Sequence, residues 1–208
     1  AIVYDETALQ GQAEWLQKQD TPDGRFQAMR VQTGGGQSTI IMAEYSVVTG
    51  GRTRERDQHH QQLRDRLNSM MAKYSKDNTI LMGDLQDTIT RAETDTVNCR
   101  PMPMQNKGSL KLATEPPHNL KSAFRASNDS TKGYITRVGA KGGRGIDHIL
   151  VSNNLRSHVQ ECHVDWESVP TCNTDHQRVW ARIYIEDLST EPHKAQPKAD
   201  TPMYTRLT

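Results

Sequence analysis

Aromatic residues are nearly missing from this chain: Phe, Trp and Tyr make up 5% of its 208 residues, and only two are Phe. A core without large rings has to be filled by Ile, Leu, Val and Met, and apolar residues of all kinds reach only 34%. That is lean, yet it is not the composition of a disordered chain. Cysteine is scarce as well. Cys99, Cys162 and Cys172 form no CxxC pair, so neither a disulfide framework nor a zinc site is expected, and reduced thiols in an intracellular compartment are the plain reading. No run of about eighteen apolar residues is present, so no transmembrane helix and no membrane partner are expected. No basic segment followed by an apolar stretch opens the chain as a signal peptide would, although a chain that had already lost a targeting segment would read the same. Charge of one sign is missing too: 26 Lys and Arg stand against 25 Asp and Glu. Any basic surface for nucleic acid would have to be local.

What is there reads as alternating strands and helix. Ala1–Tyr4 is a short apolar run. In Gly24–Gln32, Phe26, Ala28 and Arg30 alternate with Gln27, Met29 and Val31, and Ile40–Val48 is apolar and β-branched. Gly34-Gly35-Gly36 between them predicts two strands joined by a glycine-rich turn. From Arg54 to Tyr74 the apolar residues Leu63, Leu67, Met70, Met71 and Tyr74 recur at helical spacing, and Asp77-Asn78 ends that helix. Thr79–Leu85 predicts a buried strand. Residues Gln86 to Lys132 are polar and hold Pro101, Pro103, Pro116 and Pro117, which predicts long loops with one short helix. Order resumes at Gly145–Ser152, Val159–Trp166 and Arg178–Ile185. In the last of these, Val179, Ala181, Ile183 and Ile185 oppose Trp180, Arg182 and Tyr184. From Asp187 the chain is polar and spaced by prolines, a tail or extended arm.

Chemistry gathers at predicted strand ends. Asp84 closes TILMGDL, Asp147 lies in RGIDHILVS, and Asp175-His176 precede RVWARIYI. Carboxylates at the strand ends of an α/β domain can converge in one crevice and hold a hard divalent cation through oxygen. A histidine beside them can bind a phosphate oxygen or move a proton. Taken singly these signals are weak: an Asp-His pair is more often a surface loop, Gly-Asp after an apolar run is often a turn, and Asp147 fits a solvated strand position. His59-His60 has no partner at i+4 and reads as solvated, and Gly34-Gly35-Gly36 lacks a phosphate-loop lysine. Lys141-Gly142-Gly143-Arg144 fits a flexible turn better than a nucleic-acid backbone contact.

Their order and flanking text carry more. GDLQDT at Gly83–Thr88, RGIDHILVS at Arg144–Ser152 and TDHQRV at Thr174–Val179 resemble the GDxN, RIDYILVS and SDHxPV motifs of the endonuclease/exonuclease/phosphatase (deoxyribonuclease I-like) family. DGRFQAMRVQ resembles that family's DGRFLxVxL strand, and Tyr45 in MAEYSVV matches its strand-end tyrosine. The resemblance spans about Ala1 to Ile185, and its wording is nearest to endonuclease domains of retroelements and to apurinic endonucleases. It implies an α/β fold, a two-sheet β-sandwich flanked by helices, and metal-assisted phosphodiester hydrolysis. Asp84 would orient or deprotonate the attacking water, and Asp175 would sit near a Mg²⁺ ion. His176 would contact the scissile phosphate with Asp147 holding its imidazole, and Tyr45 would donate to the phosphate.

The chain departs from the family pattern twice. Gln86 stands where the GDxN asparagine is expected, one methylene longer, and a misplacement near 1 Å costs about 100-fold in rate. The family's opening strands, with an asparagine and a metal-binding glutamate, have no counterpart before Ala1–Asp5, and Glu6 and Glu14 stand in other contexts. The resemblance therefore implies an incomplete sandwich over residues 1–186 that lacks its opening strands, followed by an arm over 187–208. It points to a non-catalytic descendant of a metal-dependent phosphodiesterase, acting as a structural or binding component of a larger assembly. On that reading the isolated chain with Mg²⁺ would cleave DNA negligibly. The alternative is an active Mg²⁺-dependent DNA endonuclease completed by a segment from another chain or a precursor. On either reading another polypeptide, or a large assembly including RNA, would cover the sheet edge at Ala1–Tyr4. Nothing in the sequence marks a lipid or inositol-phosphate pocket.

Overall fold

The computed structural model describes residues 2, 9, 12–17, 25–33, 37–46, 54–89, 108–128, 134–139, 142–165 and 174–185. The helical stripe read above forms α1, Arg54–Lys73. Its mostly polar surface gives little intrinsic amphipathic drive, so the helix depends on packing that one stripe. Leu63, Leu67 and Met71 are buried, and Met70 and Tyr74 pack against the same cluster. The chain leaves α1 through a turn in which the Asp77 amide donates to the Tyr74 carbonyl at 2.9 Å. Arg30 fixes that turn with an ion pair to Asp77, also at 2.9 Å.

The principal sheet has six strands in the order β1-β2-β3-β4-β8-β5. They are β1 (Ala13–Gln17), β2 (Phe26–Thr33), β3 (Gln37–Tyr45), β4 (Asn78–Asp84), β8 (Asp147–Val151) and the two-residue β5 (Lys121–Ser122). β3 and β4 run parallel with α1 as their crossover, and the neighbouring pairs are antiparallel. A hairpin of β6 (Arg137–Gly139) and β7 (Gly142–Arg144) and a second sheet of β9 (Val159–Asp165) and β10 (Arg178–Ile183) complete the described strands.

The register sorts side chains to two faces. Phe26, Ala28, Ile40, Met42, Leu81 and Leu150 meet α1 on one. On the other, Ile80 and Val151, with Met82 and Ile149, join Val159, Cys162, Val179, Ala181 and Ile183 of the second sheet. This is the layered α/β sandwich with outer helices that the sequence implied. The Cys162 thiol is buried there, and burial pushes its pKa up to about 12.

Met29 and Val31 of β2 are buried as well as Phe26 and Ala28, because a strand inside a layered domain is covered on both faces. One expectation needs correction. The stretch expected as loops with one helix contains two short helices, α2 (Ser109–Thr114) and α3 (Ala123–Ser127), as well as β5. Leu110, Ala113, Leu120 and Ala123 are buried in it. β1 had no strand signal of its own. The apolar run Ala1–Tyr4 lies outside the described residues except for Ile2, whose amide donates to Gln27 Oε1 at 2.7 Å. The Gly34–Gly36 turn, residues 90–107 and the arm over 187–208 also lie outside them, as do the side chains of His59 and His60. No helix among the described residues is long and apolar enough to cross a membrane.

Candidate active site

Parallel and antiparallel pairing meet at the carboxyl end of β4. There Asp84 lies opposite Tyr45 of β3 on one side and Asp147 of β8 on the other. Directly opposed residues in a sheet point to the same face, so three strand ends aim one tyrosine and two carboxylates at one place. The next residue along the row is Arg25, whose carbonyl accepts from the Tyr45 amide at 2.8 Å and whose guanidinium lies 4.7 Å from the Tyr45 ring centre. A cavity of about 340 Å³ opens over this row, lined among others by Arg25, Gln27, Tyr45, Asp84, Asp147 and Gln177. Tyr45 is 47% exposed, a large side chain turned to solvent.

His176 arrives from the opposite direction, bridged through its backbone to Arg137 at the start of the β6–β7 hairpin. Its Nδ1 lies 3.1 and 3.0 Å from the two oxygens of Asp147. A carboxylate only accepts, so Nδ1 carries the proton and Nε2 is turned away from Asp147. That Nε2 is 3.9 Å from Asp84 Oδ2 and 3.8 Å from Asp175 Oδ1.

Asp147 is held by a residue with no sequence signal. The Thr136 hydroxyl donates to Asp147 Oδ2 at 2.7 Å and accepts the amides of Ile146 and Asp147 at 3.0 Å each. Thr136 is wholly buried, and its own carbonyl accepts the Gln177 amide at 2.6 Å, tying the His176 segment to the same point. Tyr134 donates to the Asp147 carbonyl at 2.5 Å. Thr136 and Tyr134 were missed because neither belongs to a periodic run or a recognisable motif.

Asp84 is the more buried carboxylate. Its side chain is 9% exposed, and burial, with the charge of Asp147 next to it, raises its pKa to about 6. Gln86 closes over it: the backbone amide donates to Oδ1 at 3.1 Å and the side-chain amide to Oδ2 at 2.5 Å. The longer amide is accommodated because Gln86 takes a left-handed conformation, φ 55°.

Asp175 differs from the other three. Arg137 Nε donates to it at 2.7 Å, it is about half exposed, and that hydrogen bond holds its carboxyl below the ordinary range. One ligand atom each from Asp84, Asp147 and His176 lies within 4.8 Å of the others, and Asp175 is outside this group. Two carboxylates recessed in a crevice, with room for water, are the donor set a hard divalent cation takes. With Nδ1 committed to Asp147, His176 is better suited to proton transfer at Nε2 than to a hard ion.

The same arrangement of sheets and helices occurs in solved nuclease structures. A 3′ phosphatase, NExo, from Neisseria, bound to a product DNA hairpin, superposes with a TM-score of 0.59 over 84% of this chain and 71% of its own, at 18% identity. The fold is that of the deoxyribonuclease I-like enzymes. An AP endonuclease from Leishmania major superposes on this chain with a TM-score of 0.59 at 14% identity, covering 81% of this chain and 60% of the enzyme. The APE2 catalytic domain from Xenopus laevis gives 0.52 at 16% identity, over 81% and 58%. No protein-family model matches the chain, and no curated protein sequence matches it either.

Proposed function

We propose that the chain hydrolyses phosphate esters of DNA with the help of a divalent cation. The observation that carries this reading is the ordered His176–Asp147 pair facing a recessed Asp84 across one crevice. Asp84 and Asp147 would hold the cation, which when bound offsets the negative charge of the phosphate. In its ionised form Asp84 would accept a proton from the attacking water. Asp147 keeps the imidazole in one tautomer and orientation, so His176 offers Nε2 to a phosphate oxygen or a leaving group. The Tyr45 hydroxyl, at the mouth of the same cavity, is a donor for a phosphate oxygen. The DNA hairpin held by the Neisseria phosphatase supports DNA as the polymer to try first.

The test is turnover of hairpin DNA carrying a 3′ phosphate, and of duplex DNA carrying an abasic site, with Mg²⁺ or Mn²⁺ against chelator. Metal-dependent release is expected, with Asp84→Asn and His176→Ala each lowering kcat at least about 100-fold while circular dichroism is unchanged. Turnover that ignores both substitutions would sink the reading.

A second reading, a non-catalytic component of a larger assembly, is favoured by one observation. The Gln86 amide sits 2.5 Å from Asp84 Oδ2, on the oxygen that would have to face water. On that reading the wild-type chain binds DNA without turnover, and Gln86→Asn, by withdrawing the amide, creates or raises it. Co-purification of a stable protein or RNA partner with an inert chain would point the same way.

A further inference from the structure

Behind the crevice, on the face of the sheet covered by α1, lies a second row that carries two buried polar side chains, Glu44 and His148. Phe26, Glu44, Gly83 and His148 are consecutive across β2, β3, β4 and β8, one residue before or after the row that ends in Tyr45, Asp84 and Asp147. Glu44, Ser46 and His148 are each at most 3% exposed. Polar groups buried this completely are expected to be satisfied by partners that matter to the fold or the site.

Ser46 and His148 each have a partner in one segment, the turn over Asp84–Asp87. The Ser46 amide donates to the Asp84 carbonyl at 2.8 Å, and the Ser46 hydroxyl is fixed by donating to Glu44 Oε1 at 2.7 Å. His148 Nε2 lies 2.8 Å from the Asp87 carbonyl, and since a carbonyl only accepts, Nε2 is the donor. Between these anchors the Leu85 amide donates to the Ile146 carbonyl at 2.9 Å. The turn is thus pinned at its start, its middle and its end, and the residue between the pins is Gln86, in the left-handed region at φ 55°. A side chain other than glycine, asparagine or aspartate stays in that region only where its surroundings over-determine it.

We infer that His148, with the Ser46–Glu44 pair, is a positioning residue: from the far side of the sheet it holds the Asp84–Asp87 turn so that Gln86 stays left-handed and its two donors remain on the Asp84 carboxylate. Glu44 and His148 also border the cavity over the crevice, yet both are almost wholly buried. Their effect passes through backbone carbonyls, and it rests on the hydrolytic reading only in its consequence for rate.

The experiment compares His148→Gln, whose side-chain amide can still reach the Asp87 carbonyl, with His148→Leu, which fills the space without a donor. Two readouts are taken: amide hydrogen exchange at Leu85 and Gln86, and kcat with KM. In His148→Leu, protection at Leu85 and Gln86 is expected to drop at least about 10-fold while β2 and β3 amides keep theirs. For the same variant kcat should fall about 10- to 100-fold, the range a displacement near 1 Å produces, with KM within about twofold. His148→Gln should restore both. Gln86→Gly, which takes φ 55° without strain, should shrink the effect of His148→Leu on exchange at Leu85 to less than about twofold. Equal loss of protection in β2 and β3, or no loss at the turn, would overturn the inference. If the wild-type chain shows no turnover, the hydrolytic reading fails, and the exchange data alone still decide whether His148 positions the turn.

Discussion

One hydroxyl carries much of the geometry around Asp147. Thr136 joins the carboxylate, two backbone amides and, through its own carbonyl, the segment bearing His176. Thr136→Val keeps the shape and removes the hydroxyl, leaving buried amides without an acceptor. A loss of about 1–3 kcal/mol is expected in denaturant unfolding, with a fall in turnover beyond what the lost stability explains. Glu44 gives a prediction of opposite sign. Burial raises its pKa, with Ser109 and Ser46 opposing the shift. A carboxyl raised on folding lends stability that is complete below its unfolded pKa and is lost as pH rises through the folded value. Glu44→Gln should therefore be more stable than the wild type at pH 8, with the advantage vanishing below about pH 4.5; thermal melts across that range would measure it. Asp84, Asp147, Asp175 and His176 were legible because each stands beside an apolar strand with characteristic flanking residues. Thr136, Ser46 and the left-handed Gln86 were not, because their importance comes from which strands lie next to each other, and spacing along one chain does not carry that.

Among the elements, α1 and β10 could be read from periodicity, and β4 and β8 from continuous apolar runs that are covered on both faces. β1, α2, α3 and β5 are five residues, six, five and two, too short for any period to show, and tertiary packing makes them. Leu67→Ala in α1 should cost about 2–5 kcal/mol, read from the unfolding midpoint. Gly83 on β4 is a sharper case. It has φ 140°, and an added Cβ would lie 1.9 Å from the Glu44 carbonyl oxygen. Backbone cannot yield there without breaking the β3–β4 ladder. Gly83→Ala should destabilise the chain by about 3 kcal/mol or more, seen as a lower melting temperature or failure to recover soluble protein. The GDLQDT segment thus keeps its glycine for a packing reason as well as for the turn that follows.

At the scale of the molecule, the layers put Tyr45, Asp84 and Asp147 on one face of the principal sheet and Glu44 and His148 on the other, with β4 shared between them. The surface ion pair Arg182–Glu161 contributes at most about 1 kcal/mol, and the fold rests mainly on its two apolar clusters. The pairing of β4 with β8 also has a kinetic meaning. The β2–β3 hairpin and α1 are local in sequence, whereas Asp84 meets Asp147 only after β5, α3 and the β6–β7 hairpin have been laid down between them. Closing so long a loop is slow relative to forming a helix or hairpin. During refolding, pulse labelling should therefore find amides of α1 and β3 shielded before those of Asp147–Val151. A partly folded chain would then already have most of its secondary structure while its two central carboxylates were still apart, so the crevice would be among the last features of the molecule to come into being.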